Sequence, residues 1–133
     1  MVKLSRNFTL DEFTQLHLHP DNVPPTQHIV NITYGVATIL QPLRDALGCP
    51  IVINSGYRTP VVNKLVGGVA NSQHMSGCAA DIYPKDLRKF SECIEILKNS
   101  PYTDQLLTGS HWLHISWQPH GKPRHMVRLG YYK

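Results

Sequence analysis

Two short segments of this chain carry residues able to do chemistry together. In Ser72-Gln73-His74-Met75-Ser76-Gly77-Cys78-Ala79-Ala80-Asp81, six residues separate a histidine in a polar loop from a carboxylate in an apolar strand. An aspartate flanked by Ala79, Ala80 and Ile82 is costly to bury without a partner, and a divalent cation would remove that cost. Trp112-Leu113-His114-Ile115-Ser116 offers a third donor, His114. Alternate strand residues share a face, so Trp112, His114 and Ser116 point one way and Leu113, Ile115 and Trp117 the other. Two imidazoles and one carboxylate leave a fourth zinc position open, the arrangement of a catalytic rather than a structural zinc. Spacing alone leaves a plainer reading open, in which the histidines are hydrogen-bonded core residues and the aspartate accepts from backbone N–H groups.

The elements that must position these donors can be read from periodicity and punctuation. Thr9 and Glu12 have capping-box spacing ahead of a short helix, and the proline-rich stretch His19 to Pro25 is a loop. Ile29, Ile32, Val36, Ile39, Leu40, Leu43 and Leu47 make one apolar stripe, which predicts a long helix begun by Thr26, kinked at Pro42 and stopped by Gly48. Pro50 to Asn54 is a β-branched strand ending in the turn Ser55-Gly56-Tyr57-Arg58. Thr59-Pro60 starts a short helix that Gly67-Gly68 ends. Cys78 to Tyr83 is a strand, Asp86 caps a further helix, and Thr103–Leu107 and His111–Trp117 form a hairpin about a tight Gly109-Ser110 turn. An edge strand is expected near His125 to Tyr131. The fold class is α+β, a single domain over 1–133 with helices packed on a mainly antiparallel sheet.

Bulk properties narrow the function. The 133 residues suit one domain, the charged fraction of 17% argues against disorder, and no apolar run is long enough to span a bilayer. Three cysteines at irregular spacing predict buried thiols rather than a disulfide framework. The formal charge of +4 suits an anionic partner. The first residues lack the apolar stretch of a secretory signal, so synthesis in the cytoplasm without a signal peptide is expected.

Ser72-Gln73-His74, Gly77, Ala79 and Asp81, followed by Trp112 and His114, resemble the zinc D-Ala-D-Ala carboxypeptidase family, which includes phage endolysins and shares its fold with the Hedgehog domain. Phe8-Thr9-Leu10-Asp11-Glu12-Phe13, Ser55-Gly56-Tyr57-Arg58, Asn63 with Val66-Gly67-Gly68, and Asp104-Gln105-Leu106 fall in the family's order, so the resemblance covers nearly the whole chain. It is most similar to the short, single-domain branch. The resemblance implies His74, Asp81 and His114 as zinc ligands and Arg58 as the group that binds a substrate carboxylate or carbonyl. An arginine after a strand and a glycine turn is also placed to grip a carboxylate in bidentate fashion. Ser72, Gln73 and Trp112 are expected to line the substrate site. The implied activity is zinc-dependent hydrolysis of an amide in the peptidoglycan peptide stem, reached after release or assisted export.

One departure bears on mechanism. Many family members carry an acid three residues before the third ligand, where this chain has His111, and the stretch Leu107-Thr108-Gly109-Ser110 holds no acid either. The base is therefore His111, if the strand's start turns inward, or Asp104, or it is absent. Absence would leave a weak or inactive zinc-binding module that binds cell-wall peptides. A nucleic-acid binder using Lys122, Arg124, His125, Arg128 and Lys133, with Tyr131 and Tyr132 stacking on bases, is a rival, but no nucleic acid is expected as partner.

Overall fold

A computed structural model describes residues 2–132. A two-stranded ribbon, β1 (Lys3–Ser5) and β2 (Phe8–Thr9), leads into α1 (Leu10–Thr14). Glu12 takes up its half of the capping box, accepting from the Thr9 backbone N–H at 2.6 Å. After a loop, α2 (Thr26–Gly35) and α3 (Gln41–Leu47) form one continuous helical rod, joined by a wide π turn over Val36–Leu40. Pro25, rather than Thr26, is the capping residue. The irregularity lies before Pro42, because a proline ring clashes with the carbonyl four residues back and supplies no N–H. The turn widens instead, and the Gln41 N–H reaches the Val36 carbonyl.

Then follow β3 (Ile51–Ser55), α4 (Pro60–Leu65), β4 (Ala79–Pro84), α5 (Phe90–Asn99), β5 (Gln105–Thr108), β6 (Leu113–Ser116) and β7 (Met126–Arg128). Thr59 caps α4 by accepting from the Val62 N–H, and Asp86 caps the turn before α5 through the Arg88 N–H. The five-stranded sheet has the order β3-β4-β6-β5-β7, and every pairing is antiparallel except β5 with β7. The expected α+β architecture is therefore present, with one parallel strand at the edge. The hairpin departs from expectation. Its connection runs from Gly109 to Trp112, closed by Gly109 N–H to the Trp112 carbonyl at 2.8 Å, so β6 starts at Leu113 and neither His111 nor Trp112 is in the strand.

The sheet separates core from site. Ala80 and Ile82 of β4, Leu106 of β5, and Leu113 and Ile115 of β6 are fully buried against Val36, Leu40, Leu43 and Leu47 of the helical rod and Cys93 and Leu97 of α5. The alternate residues, Asp81, His114 and Leu107, line a cavity on the opposite face. All three cysteines are buried free thiols. No helix among the described residues is long and apolar enough to cross a membrane.

Candidate metal centre and substrate cleft

Asp81 and His114 reach the site from neighbouring strands at directly paired positions. His74 comes from a short 3₁₀ turn, Gln73–Ser76, capped by the Ser72 hydroxyl, which accepts from the His74 N–H. Two hydrogen bonds clamp that turn to the loop after β3: the Arg58 backbone N–H donates to the His74 carbonyl at 3.0 Å, and His74 Nδ1 lies 2.6 Å from the Gly56 carbonyl. Gly56 is required at this crossing. A Cβ there would stand 2.7 Å from the Phe13 backbone.

Donor atoms of His74, Asp81 and His114 all lie within 4.8 Å of one another, and all three residues are buried. His74 Nε2 is 3.2 Å and His114 Nδ1 3.0 Å from the same oxygen, Oδ1 of Asp81. A carbonyl can only accept, so His74 Nδ1 carries the proton it gives to Gly56. A neutral His74 then aims the Nε2 lone pair at a carboxylate, which is repulsive unless a positive charge stands between them. The donor set thus suits a borderline-soft cation such as zinc, with the Gly56 carbonyl fixing the tautomer as outer partners of metal-bound histidines do. Burial works against the charge of Asp81, but the adjoining His114 and His74 imidazoles outweigh it and hold the carboxyl well below the usual range.

Arg58 abuts this centre. Its Nε donates to Ser55 Oγ at 3.0 Å, Nη1 to Asn63 Oδ1 at 3.2 Å and Nη2 to Asp81 Oδ2 at 3.2 Å. Three of the five guanidinium N–H groups are engaged, which leaves one on each terminal nitrogen for a substrate oxygen. Asn63 is held in turn by donating to the Val69 carbonyl at 2.8 Å. Gly68 keeps this support in place, because a Cβ there would fall 2.0 Å from Asn63 Oδ1.

The cavity above these groups has a volume of about 890 Å³, and Ser72, Gln73 and Trp112 border it. The side chains of Ser72 and Gln73 are already committed. Ser72 Oγ caps the His74 turn, while Gln73 Nε2 donates to Asp104 at 3.0 Å and its Oε1 accepts from Arg124 at 3.1 Å. Trp112 walls the site, stacked on Tyr132 at 4.2 Å between ring centroids.

Neither sequence candidate for the base enters the cavity. His111 is exposed on the hairpin turn, with Nδ1 2.8 Å from Ser110 Oγ. Leaving the strand at Leu113 removes the alternation that would have had to be bent to bring it inward. Asp104 is fully buried and accepts from Gln73, Ser116, Gln118 and both the backbone and side chain of Arg124. Burial raises its pKa, but the Arg124 bonds dominate and bring the carboxyl down to about 2. This network ties the tail to the His74 turn and withdraws Arg124 from any phosphate-binding role. Lys133 lies outside the described residues.

Sequence reasoning missed Tyr131, Tyr132, Gln105 and Gln118 among the lining residues. The tail returns along the sheet through β7, a non-local pairing that no local pattern announces. Burial, with Asp81 adding to it, pushes the Tyr132 phenol up to about 12.

The sequence family described as Peptidase M15 matches residues 7–116. The zinc D-Ala-D-Ala carboxypeptidase of Streptomyces albus G is 50% identical over 71 residues, which cover 53% of this chain. The matched stretch spans 28% of that relative's length.

Proposed function

The chain belongs to the peptidase M15 family, and from that premise we propose that it is a zinc metallopeptidase that hydrolyses an amide bond in the peptide stem of peptidoglycan. The bond is cut in carboxypeptidase or endopeptidase fashion, and the cell wall is the place of action, as for an endolysin. The observation that carries this reading is the convergence of His74, Asp81 and His114 at the floor of a cavity, with Arg58 beside them.

His74, Asp81 and His114 would hold the zinc ion. Bound zinc supplies a Lewis acid that lowers the pKa of water to about 7 and polarises a carbonyl. Arg58, anchored by Ser55, Asn63 and Asp81, presents its two remaining N–H groups to a substrate carboxylate or carbonyl and fixes the peptide's direction. The Gly56 carbonyl keeps the His74 proton on Nδ1 and its Nε2 free to coordinate. Trp112 and Tyr132, stacked on each other, wall one side of the cavity.

A second reading, a weak or inactive zinc-binding module that binds cell-wall peptides, is favoured by one observation. Among the described residues, no carboxylate other than Asp81 lines the cavity. Purified peptidoglycan fragments, incubated with the protein with and without a chelator and resolved by mass, separate the two. Chelator-sensitive cleavage is expected. Binding of fragments without any cleavage would favour the module, and cleavage indifferent to chelator would exclude zinc.

A further inference from the structure

Tyr132 borders the cavity that holds the candidate metal centre. Gly130 N–H donates to Thr108 Oγ1 at 2.9 Å and Tyr132 N–H to the Thr108 carbonyl at 3.2 Å, so the tail is latched to the end of β5. The Tyr132 ring lies on Trp112, with centroids 4.2 Å apart and planes at 27°. Tyr131 meets the same ring edge-on, at 5.0 Å and 88°. Two aromatic neighbours and two backbone bonds therefore hold this ring in place.

It lines the cavity together with Arg58, His74, Asp81 and His114. A phenol is protonated at neutral pH and is an uncharged hydrogen-bond donor there. The three polar groups nearest the floor are spoken for, two as metal donors through nitrogen and one as a carboxylate that can only accept. Arg58 and Tyr132 are among the lining residues that can donate to a peptide.

We propose that Tyr132 is a catalytic residue whose hydroxyl donates a hydrogen bond to the scissile carbonyl oxygen as negative charge develops on it. This rests on the hydrolytic reading above. The ring's stack on Trp112 sets the position of the hydroxyl before substrate arrives, so no reorganisation is needed when the charge appears. Trp112 thereby acts as a positioning residue for Tyr132.

Tyr132→Phe keeps the stack and removes only the hydroxyl, and it tests the assignment. With zinc content and melting temperature unchanged, kcat on a stem-peptide fragment should fall roughly 100-fold, the usual loss for one oxyanion donor. KM should stay within about twofold. Affinity for a phosphinate dipeptide, which mimics the tetrahedral state, should fall in parallel with kcat, while affinity for the product peptide should not change. A Tyr132→Phe protein that cleaves and binds phosphinate like the wild type, while Tyr132→Ala loses both, would overturn the assignment in favour of a purely packing role. A wild-type protein that holds zinc yet neither cleaves nor binds phosphinate would overturn the hydrolytic reading itself, and the assignment with it.

Discussion

Asp81 and His114 stand opposite each other on β4 and β6, and His114 Nδ1 lies 3.0 Å from Asp81 Oδ1. Sheet pairing alone therefore sets two of the three proposed metal donors. The third, His74, is set by a clamp to the loop after β3, so the centre depends on one register and one loop contact.

Removing either strand donor should abolish metal binding. His114→Ala should weaken zinc by more than the roughly 10- to 100-fold that loss of an outer partner costs. Asp81→Asn should do the same and also destabilise the zinc-free protein by about 2 kcal/mol, because the half-buried Arg58 guanidinium loses its counter-charge. Zinc titration with a competing chelator, alongside thermal melts of the metal-free proteins, measures both.

Arg58→Lys keeps the charge and loses the fork. A lysine ammonium cannot hold Ser55, Asn63, Asp81 and a substrate oxygen at once. We expect kcat/KM to fall about 10- to 100-fold, with most of the change in KM. Zinc content should be unaffected, which steady-state kinetics and metal analysis on the same preparation would verify.

His111→Ala should leave kcat/KM within about twofold of wild type, since surface groups away from the reacting atoms contribute little. The side chain is exposed, bonded to Ser110 and outside the cavity. A drop of tenfold or more would mean that the hairpin turn closes over the substrate and that His111 takes a proton after all.

Asp104 makes the stability pH-dependent. Its folded pKa of about 2 lies below the ordinary value of 3.8. A depressed carboxyl contributes stability that is complete above about pH 4 and is lost as pH falls through about 2, an effect worth roughly 2 kcal/mol. Asp104→Asn should cost about 3 kcal/mol at pH 7, or roughly 10 °C in melting temperature, and should flatten this acid limb. Urea melts of both proteins between pH 2 and 7 provide the comparison.

The convergence of His74, Asp81 and His114 was legible because a histidine in a polar loop, an aspartate among alanines and a histidine in an apolar strand are each unusual, and the strand alternation put His114 and Ile115 on opposite faces. Ser72 and Gln73 were legible as neighbours of the site but not in their work, since the partners that occupy them, His74 N–H, Asp104 and Arg124, are fixed only by folding. The wide turn before Pro42 was beyond reach, because the sequence marks a proline and not how the rod relaxes around it. The hairpin was misjudged at its tip, where the bond from Gly109 to the Trp112 carbonyl lengthens the turn. Tyr132 was invisible for a related reason: its place follows from a parallel edge strand, and parallel pairing leaves no local signature.

Directly paired ligands on adjacent strands also make the cation a reader of chain alignment. If β6 were to slide by one residue, Leu113 or Ile115 would face the cavity and His114 would enter the core. A chain collapsed in that alignment presents His74 and Asp81 without their third companion and holds zinc weakly. Metal present during refolding should therefore drain such misaligned states toward the native sheet.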